Sequence, residues 1–281
     1  MKIAVHLHLY YFNQLPKVLS YLKSLEGIDY DLFVTMVQEN KDVEQQLKTF
    51  NPNTNIFVVE NRGYDIGPFI DFLHHIDFKK YDYVLKVHTK SEDKSVFVRL
   101  NGYSLSTKLW VFLLWNSLLG SKKQLDKALS LFQDEKVGMV ASSLCITKNK
   151  KNYNYLLPEI NNELAKNGFN PVKKCSFVAG TMFLARTQLL KSFLKYQLMD
   201  FEATNGSVKD GALAHIVERM FSILILQQGY KIKGVRSHRH WVIVLRLFFK
   251  KIIRFLYQNK KSANGKRIVK VFGFRILKRH G

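Results

Sequence analysis

The residues best suited to chemistry lie in YDYVLKVHTKSEDK, Tyr81–Lys94. An apolar strand pattern, VLKV, runs there into lysines and one histidine. Side chains of a strand alternate with a period of two, so Lys86 and His88 share a face, and Lys90 joins them if the strand continues. Such a cluster suits an anion. Lysine is costly to bury without a partner, and exposed lysine pairing with Glu92 or Asp93 accounts for the same residues. A second candidate is NRGYDIGPF, Asn61–Phe69. Gly63 and Gly67 permit tight turns and close backbone approach. A helix opening at Gly67–Pro68 would present free N–H groups to an anion, Arg62 suits a phosphate, and Asp65 a hydroxyl or a base edge. The same residues also read as a plain turn capped by Asp65, with Asn61 left-handed, and a lone two-glycine loop is weak evidence against that.

Three further groups are weaker. His6 and His8 lie on one strand face, as a metal-binding pair or as histidines hydrogen-bonded at a sheet end. In KDGALAHIVERM, Lys209–Met220, Asp210 stands at a predicted helix start, where it can act as a general base or cap the helix. His215 and Glu218 follow at i, i+3 on another face. RSHRHW, Arg236–Trp241, brings His238 and His240 among arginines, as a diphosphate clamp or the start of a basic tail.

These candidates need elements to position them. KIAVHLHLY reads as a strand, with Ile3, Val5, Leu7 and Leu9 opposite Ala4, His6 and His8. Leu15, Val18, Leu19, Leu22 and Leu25 recur at helical spacing. DLFVTMV, NIFVVE and YDYVLKVH read as strands, with KDVEQQLKTF and FIDFLHHI as helices between them. This alternation predicts an α/β fold with a mostly parallel central sheet flanked by helices, which binds ligands at the carboxyl ends of its strands. Residues 104–135 read as helical, KVGMVAS as a buried strand, and 142–174 as a polar excursion with a short helix around Glu159–Asn167. CSFVAGTMFLAR is an apolar run interrupted by Gly180, where another backbone or a ligand can come close. A helix over 208–228 and a last strand, GYKIKGV, complete the pattern.

Of the 281 residues, 47% are hydrophobic, enough for a core and against general disorder. The net charge is +22, but from Lys231 onward there are 16 Lys or Arg and no Asp or Glu. The first 230 residues are therefore nearly balanced, and the chain divides into a body over 1–235 and a basic tail over 236–281. The tail predicts a basic amphipathic helix from Trp241, with Arg246, Lys250 and Arg254 in one stripe. Such a helix suits an anionic membrane surface, or a core packing with its basic stripe in water. Cys145 and Cys175 have no paired spacing, so a disulfide framework is not expected and the cytoplasm is. MKIAVHLHLYY lacks the marks of a signal peptide, and no spanning helix is expected.

Taken together and in order, IAVHLHLYY, NRGYDIGPF, YDYVLKVHTK, FVAGTMFLAR and DGALAHIVERMF resemble the bacterial rhamnan synthesis F family over residues 2–235. That family makes rhamnose-containing wall polysaccharides and O-antigens. The resemblance implies a GT-A type nucleotide-sugar glycosyltransferase, with rhamnose from dTDP-rhamnose as the donor sugar and a polyprenyl-diphosphate-linked glycan as acceptor. The enzyme would then sit at the inner face of the cell membrane. It implies a donor site around Asn61, Arg62, Gly63, Asp65 and Gly67; from their own types and spacing, His6, His8, Lys86, His238 and His240 join these as donor-binding candidates. A pocket would be shaped by Gly180 and Thr181, and Asp210, with Glu218 in reserve, would act as base. Metal-dependent relatives carry an aspartate pair at the strand end where this chain has His88 and Lys90. No metal is therefore expected, although Mg²⁺ or Mn²⁺ stays open, and the cations would meet the departing diphosphate. The rival functions are a metal-dependent sugar hydrolase, for example a deacetylase, built on His6, His8 and His88, and a non-enzymatic membrane- or nucleic-acid-binding protein. No zinc-finger spacing or RNP-type motif supports nucleic acid as a partner.

Overall fold

The computed structural model describes residues 1–92, 97–147, 155–204, 211–261, 267–272 and 274–279. The chain divides into two compact units, one of Met1–Asn101 with Leu105–His238 and one of Gly102–Ser104 with Arg239–Gly281.

The first unit contains a seven-stranded sheet. Its strands are β1 (Lys2–His8), β2 (Asp29–Met36), β3 (Asn55–Val58), β4 (Tyr83–His88), β7 (Val137–Ser142), β8 (Phe183–Arg186) and β9 (Lys231–Val235). A short pair, β5 (Phe97–Leu100) and β6 (Tyr103–Ser106), lies outside it. The order across the sheet is β3-β2-β1-β4-β8-β7-β9. Every neighbouring pair is parallel except those made by β8, which runs antiparallel to both β4 and β7. The predicted mostly parallel α/β sheet is thus present, with one reversed strand, β8, beside its central strand β4.

The helices are α1 (Leu15–Leu22), α2 (Lys41–Phe50), α3 (Gly67–His74), α4 (Thr107–Leu119), α5 (Lys122–Ser130), α6 (Leu157–Lys166) and α7 (Leu213–Gln227). Their starts obey local chemistry. Asn40 accepts the Val43 N–H to cap α2, Ser106 and Ser121 do the same for α4 and α5, and prolines stand in the first turn of α1 and α3. The helical stretch expected over 104–135 is interrupted at Gly120–Ser121, where Ser121 caps a new helix. α7 starts later than expected, at Leu213, whose N–H is accepted by Glu202 Oε1 at 3.0 Å.

β1 is buried on both faces, so its histidines are as enclosed as its aliphatic residues. A central strand between two helical layers has no solvent face. Beneath the carboxyl edge of β1 and β4 lies an aromatic cluster. Phe69 and Phe72 of α3 meet Phe183 of β8 and Phe221 of α7, with ring centroids of Phe69 at 5.4–5.8 Å from the others. Each buried phenylalanine contributes about 1.5–3 kcal/mol, and the cluster is the floor on which the site is built.

The second unit holds α8 (His240–Leu256) and an antiparallel sheet of β10 (Tyr257–Lys261), β11 (Arg267–Val271) and β12 (Phe274–Arg279). The expected amphipathic helix is there, but it ends at Leu256, and the chain continues from Tyr257 as sheet rather than helix.

Candidate functional site

Strand register brings the polar residues together. In the parallel pairing of β1 with β4, His6 lies opposite Lys86 and His8 opposite His88; in that of β1 with β2, His8 lies opposite Thr35. A cavity of about 610 Å³ opens at this carboxyl edge, with His8, His88, Thr89 and Lys90 in its wall. Thr89 ties the two strand ends together: its N–H donates to the His8 carbonyl, and its Oγ1 accepts from the N–H groups of Tyr10 and Tyr11. The backbone of Lys90 is held by Gln14, whose side-chain amide donates to the Lys90 carbonyl at 2.9 Å.

Lys86 is fully buried and donates to Asp65 Oδ2 at 2.5 Å and to Thr181 Oγ1 at 3.2 Å, with its ammonium over the Phe69 ring. Thr181 in turn donates to the same Asp65 oxygen at 2.5 Å. Burial alone would raise the Asp65 pKa, but attraction to His88, which is charged only in acid, and to the Lys86 and Lys90 ammonium groups outweighs it and holds the carboxyl well below its usual range. Burial lowers the Lys86 pKa, and the Asp65 carboxylate opposes that shift. The pair is a buried, hydrogen-bonded ion pair, which retains its charges because each has a partner.

Thr181 reaches Asp65 because the backbone is left-handed at both Gly180 (φ 88°) and Thr181 (φ 46°). A left-handed threonine is strained and persists only where its surroundings hold it. β8 runs antiparallel, so its amino end, with Gly180 and Thr181 just before it, lies at the carboxyl end of β4. A Cβ on Gly180 would sit 2.7 Å from the Trp110 ring, so only glycine lets that ring close on the loop. Trp110, from α4, lines the cavity with the Lys90 ammonium 4.8 Å from its centroid.

Burial lowers the pKa of His6, His8 and His88, His8 to about 4, so all three are neutral near pH 7. His6 Nε2 and His8 Nδ1 both meet Thr35 Oγ1, at 3.0 and 3.1 Å. One hydroxyl donates to one ring and accepts from the other. His6 Nδ1 is buried without a hydrogen-bond partner, and an unmet acceptor is cheaper than an unmet donor. His6 therefore carries its proton on Nε2, which donates to the Thr35 hydroxyl. His88 accepts at Nε2 from Lys90, with Nζ at 3.5 Å, and its Nδ1 lies 3.5 Å from Asp65 Oδ2.

The other predicted residues divide. Asn61 lines the cavity and clasps Thr204, accepting from its hydroxyl at Oδ1 and donating to its carbonyl. Glu218 lines it as well and accepts the Gly180 N–H at Oε1, 3.1 Å away. Arg62 is engaged elsewhere: Nε donates to Glu60 and Nη1 to the Phe201 carbonyl at 2.7 Å, which pins the 201–204 segment to the loop. Gly63 and Gly67 serve loop closure. The Gly67 N–H donates to the Gly63 carbonyl, and a Cβ on Gly67 would lie 2.3 Å from the Arg62 carbonyl oxygen. The start of α3 is buried, its Gly67 N–H is taken by the Gly63 carbonyl, and Asp65 does not cap it. Tyr64, not Asn61, is left-handed. His6 is enclosed against Phe72 behind the cavity. His238 is exposed, and His240 belongs to the second unit. Asp210 lies outside the described residues. Of the expected partners for Lys90, Glu92 pairs with Lys17 and Asp93 lies outside the described residues.

Sequence reasoning missed the aromatic wall. Tyr10, Tyr11, Tyr64 and Trp110 line the cavity, and Tyr64 packs 5.5 Å from His215. Trp110 sits in LWVFLLW, which reads as core throughout. Only the tyrosine pair directly after the first strand carried a signal, because strand ends in parallel sheets are where ligands bind.

Among the described residues, no group of three or more His, Cys, Asp or Glu side chains is gathered to hold a metal ion. The donor set also fits a divalent cation poorly. His6 and His8 turn to Thr35, Asp65 is occupied by Lys86 and Thr181, and an ion after β4 would face the Lys90 ammonium.

The sequence profile of the family described as rhamnan synthesis protein F matches residues 1–230. The chain belongs to this family. A protein named WxcX from Xanthomonas campestris pv. campestris (strain B100) is 28% identical over 188 residues, which cover 63% of this chain and 25% of WxcX. The chain thus spans about a quarter of the length of that relative. Among solved structures, S. aureus TarS 1-349 in complex with UDP is 12% identical, with a TM-score of 0.46, over 90% of this chain and 66% of that one. Glucosyl-3-phosphoglycerate synthase from Mycobacterium tuberculosis, in complex with Mn²⁺, UDP and glucosyl-3-phosphoglycerate, is 13% identical, with a TM-score of 0.37, over 99% and 89%.

Proposed function

We propose that this rhamnan synthesis F protein is a GT-A-like glycosyltransferase that moves a sugar from a nucleoside-diphosphate donor to a hydroxyl of a surface-polysaccharide acceptor. The observation that carries the reading is the Lys90 ammonium in the cavity wall at the carboxyl end of β4, backed by His88 and the buried Asp65–Lys86 pair. As the sugar–oxygen bond breaks, negative charge grows on the leaving diphosphate. A fixed ammonium in the cavity wall stabilises that charge, and the neutral His8 ring lines the cavity beside it. The aromatic wall offers faces for a base or a sugar ring.

The acceptor hydroxyl must lose a proton as it attacks. Asp65 is committed to Lys86 and Thr181, so Glu218 is the described carboxylate positioned to accept it, held by the Gly180 N–H. Asp210, the first choice from sequence, is the other candidate. Glu218→Gln and Asp210→Asn separate them, since the true base loses turnover with donor binding intact.

The word rhamnan in the family description supports rhamnose as the sugar; dTDP-rhamnose as donor and a polyprenyl-diphosphate-linked glycan at the cytoplasmic face of the membrane as acceptor complete the proposal. Transfer proceeds without a metal in this scheme. The test is a panel of nucleotide-sugars assayed with purified protein, with and without EDTA. Turnover that survives EDTA and collapses in Lys90→Ala supports the reading. Turnover abolished by EDTA and restored by Mn²⁺ overturns the metal-free step, and absence of binding to every nucleotide-sugar overturns the transferase reading.

A further inference from the structure

The second unit combines two properties that seldom occur together on a protein surface. Its charge is of one sign: residues 239–281 contain 13 Lys or Arg and no Asp or Glu. Its helix α8 also turns apolar side chains outward. At about 100° per residue, Val242, Leu245, Phe248, Phe249, Ile253 and Phe255 fall within an arc of roughly 160° that holds no charged residue. All six are at least half exposed, Val242 at 68% and Ile253 at 63%. Arg246, Lys250 and Lys251 lie outside that arc and are exposed. The buried side of α8 carries His240, Ile243 and Leu247 instead. Of the two arrangements the sequence allowed, the one with an apolar core face fails: the basic residues are in water, but the broad apolar face is exposed as well.

We propose that the exposed apolar face of α8 inserts into the headgroup region of an anionic lipid bilayer, with Arg246, Lys250 and Lys251 among the lipid phosphates. Charge complementarity selects this occupant. A second copy of the chain would bring a like-charged unit against this one. A nucleic acid would answer the cations but offer nothing to exposed aliphatic side chains such as Val242 and Ile253. An anionic interface answers both, since it takes up apolar side chains below the phosphates and cations among them. No helix among the described residues is long and apolar enough to cross a membrane, so the attachment is to the surface. The proposal does not rest on the transferase reading.

The test is co-sedimentation of the full chain with extruded vesicles, phosphatidylcholine alone against phosphatidylcholine mixed equally with phosphatidylglycerol. No sugar donor is present, so the result is independent of catalysis. Three cations near the surface predict partitioning to the anionic vesicles on the order of 100-fold stronger. Phe248→Ser/Phe249→Ser lowers it about tenfold or more, and Lys250→Gln/Lys251→Gln lowers the preference for anionic lipid about thirtyfold. Both variants keep the wild-type thermal transition, because the changed residues are exposed. A blue shift of tryptophan emission on adding anionic vesicles, lost in Trp241→Phe, places the helix in the interface. No partitioning, or equal partitioning to both vesicles, overturns the proposal. So does a concentration-dependent dimer abolished by Phe248→Ser/Phe249→Ser without vesicle binding, or binding to DNA without vesicle binding.

Discussion

Lysine occupies opposite environments in the two units. In the first, Lys86 is fully buried and bonded to Asp65 and Thr181, and its neighbour Lys90 is fixed by Gln14, His88 and Trp110. In the second, Lys250 and Lys251 stand exposed on a helix whose apolar residues are exposed too. A buried charge must have its partners built around it, so each substitution there is felt. An exposed charge keeps its water and can be exchanged for another cation at little cost. The site therefore depends on particular lysines, while the second unit depends on a number of them.

The largest expected effect tests that contrast directly. Lys86→Met leaves Asp65 buried without its ammonium and should cost about 3–5 kcal/mol of stability in urea unfolding. Adding Asp65→Asn should recover much of it. If Lys86→Met unfolds at the wild-type urea concentration, Lys86 is not an essential half of a buried pair. Next is Lys90→Ala, which should lower sugar transfer about 10²–10³-fold with less than about 1 kcal/mol lost in stability. A stability loss as large as that of Lys86→Met would make Lys90 structural. Gly180→Ala then sharpens the picture of the wall. Its methyl meets Trp110 and its φ is left-handed, so a loss of about 1–3 kcal/mol is expected, with weaker donor binding as Trp110 is displaced.

A smaller effect comes from pH. His6, His8 and His88 are held neutral, whereas an unfolded histidine takes up a proton near pH 6.5. Acidification below 6.5 therefore protonates the unfolded chain first. The stability they contribute is complete above 6.5 and falls toward about pH 4, the His8 value, by on the order of 1 kcal/mol per pH unit for each. Asp65 adds nothing in that window, because its contribution is lost only below the usual carboxylate range. Thermal melts from pH 7.5 to 5 should show the decline, and His8→Gln should flatten it by about a third. The smallest effect closes the comparison: Lys250→Met should change stability by no more than about 0.5 kcal/mol.

Much of this was legible because it is periodic. A two-residue repeat places Lys86, His88 and Lys90 on one face, and KDVEQQLKTF matches α2 from end to end. The roles of Arg62 and Trp110 were not legible. Arg62 binds the carbonyl of a residue 139 positions away, and no local pattern announces such a partner. Trp110 is one apolar residue among many until Gly180, from a distant loop, closes on its ring.

By itself, then, the sequence determined the alternation of strands and helices, the cationic stripe at the end of the fourth strand, and the one-signed charge of the last residues. Backbone periodicity and formal charge are local quantities, present before any folding. Only the tertiary structure decided that β8 runs backward beside β4 and so carries Gly180 and Thr181 to the site. It also decided that Asp65 holds Lys86 rather than capping α3, and that α8 exposes its apolar face. Each of these depends on which distant groups compete for the same space and the same hydrogen bonds, and that competition exists only once the chain has packed.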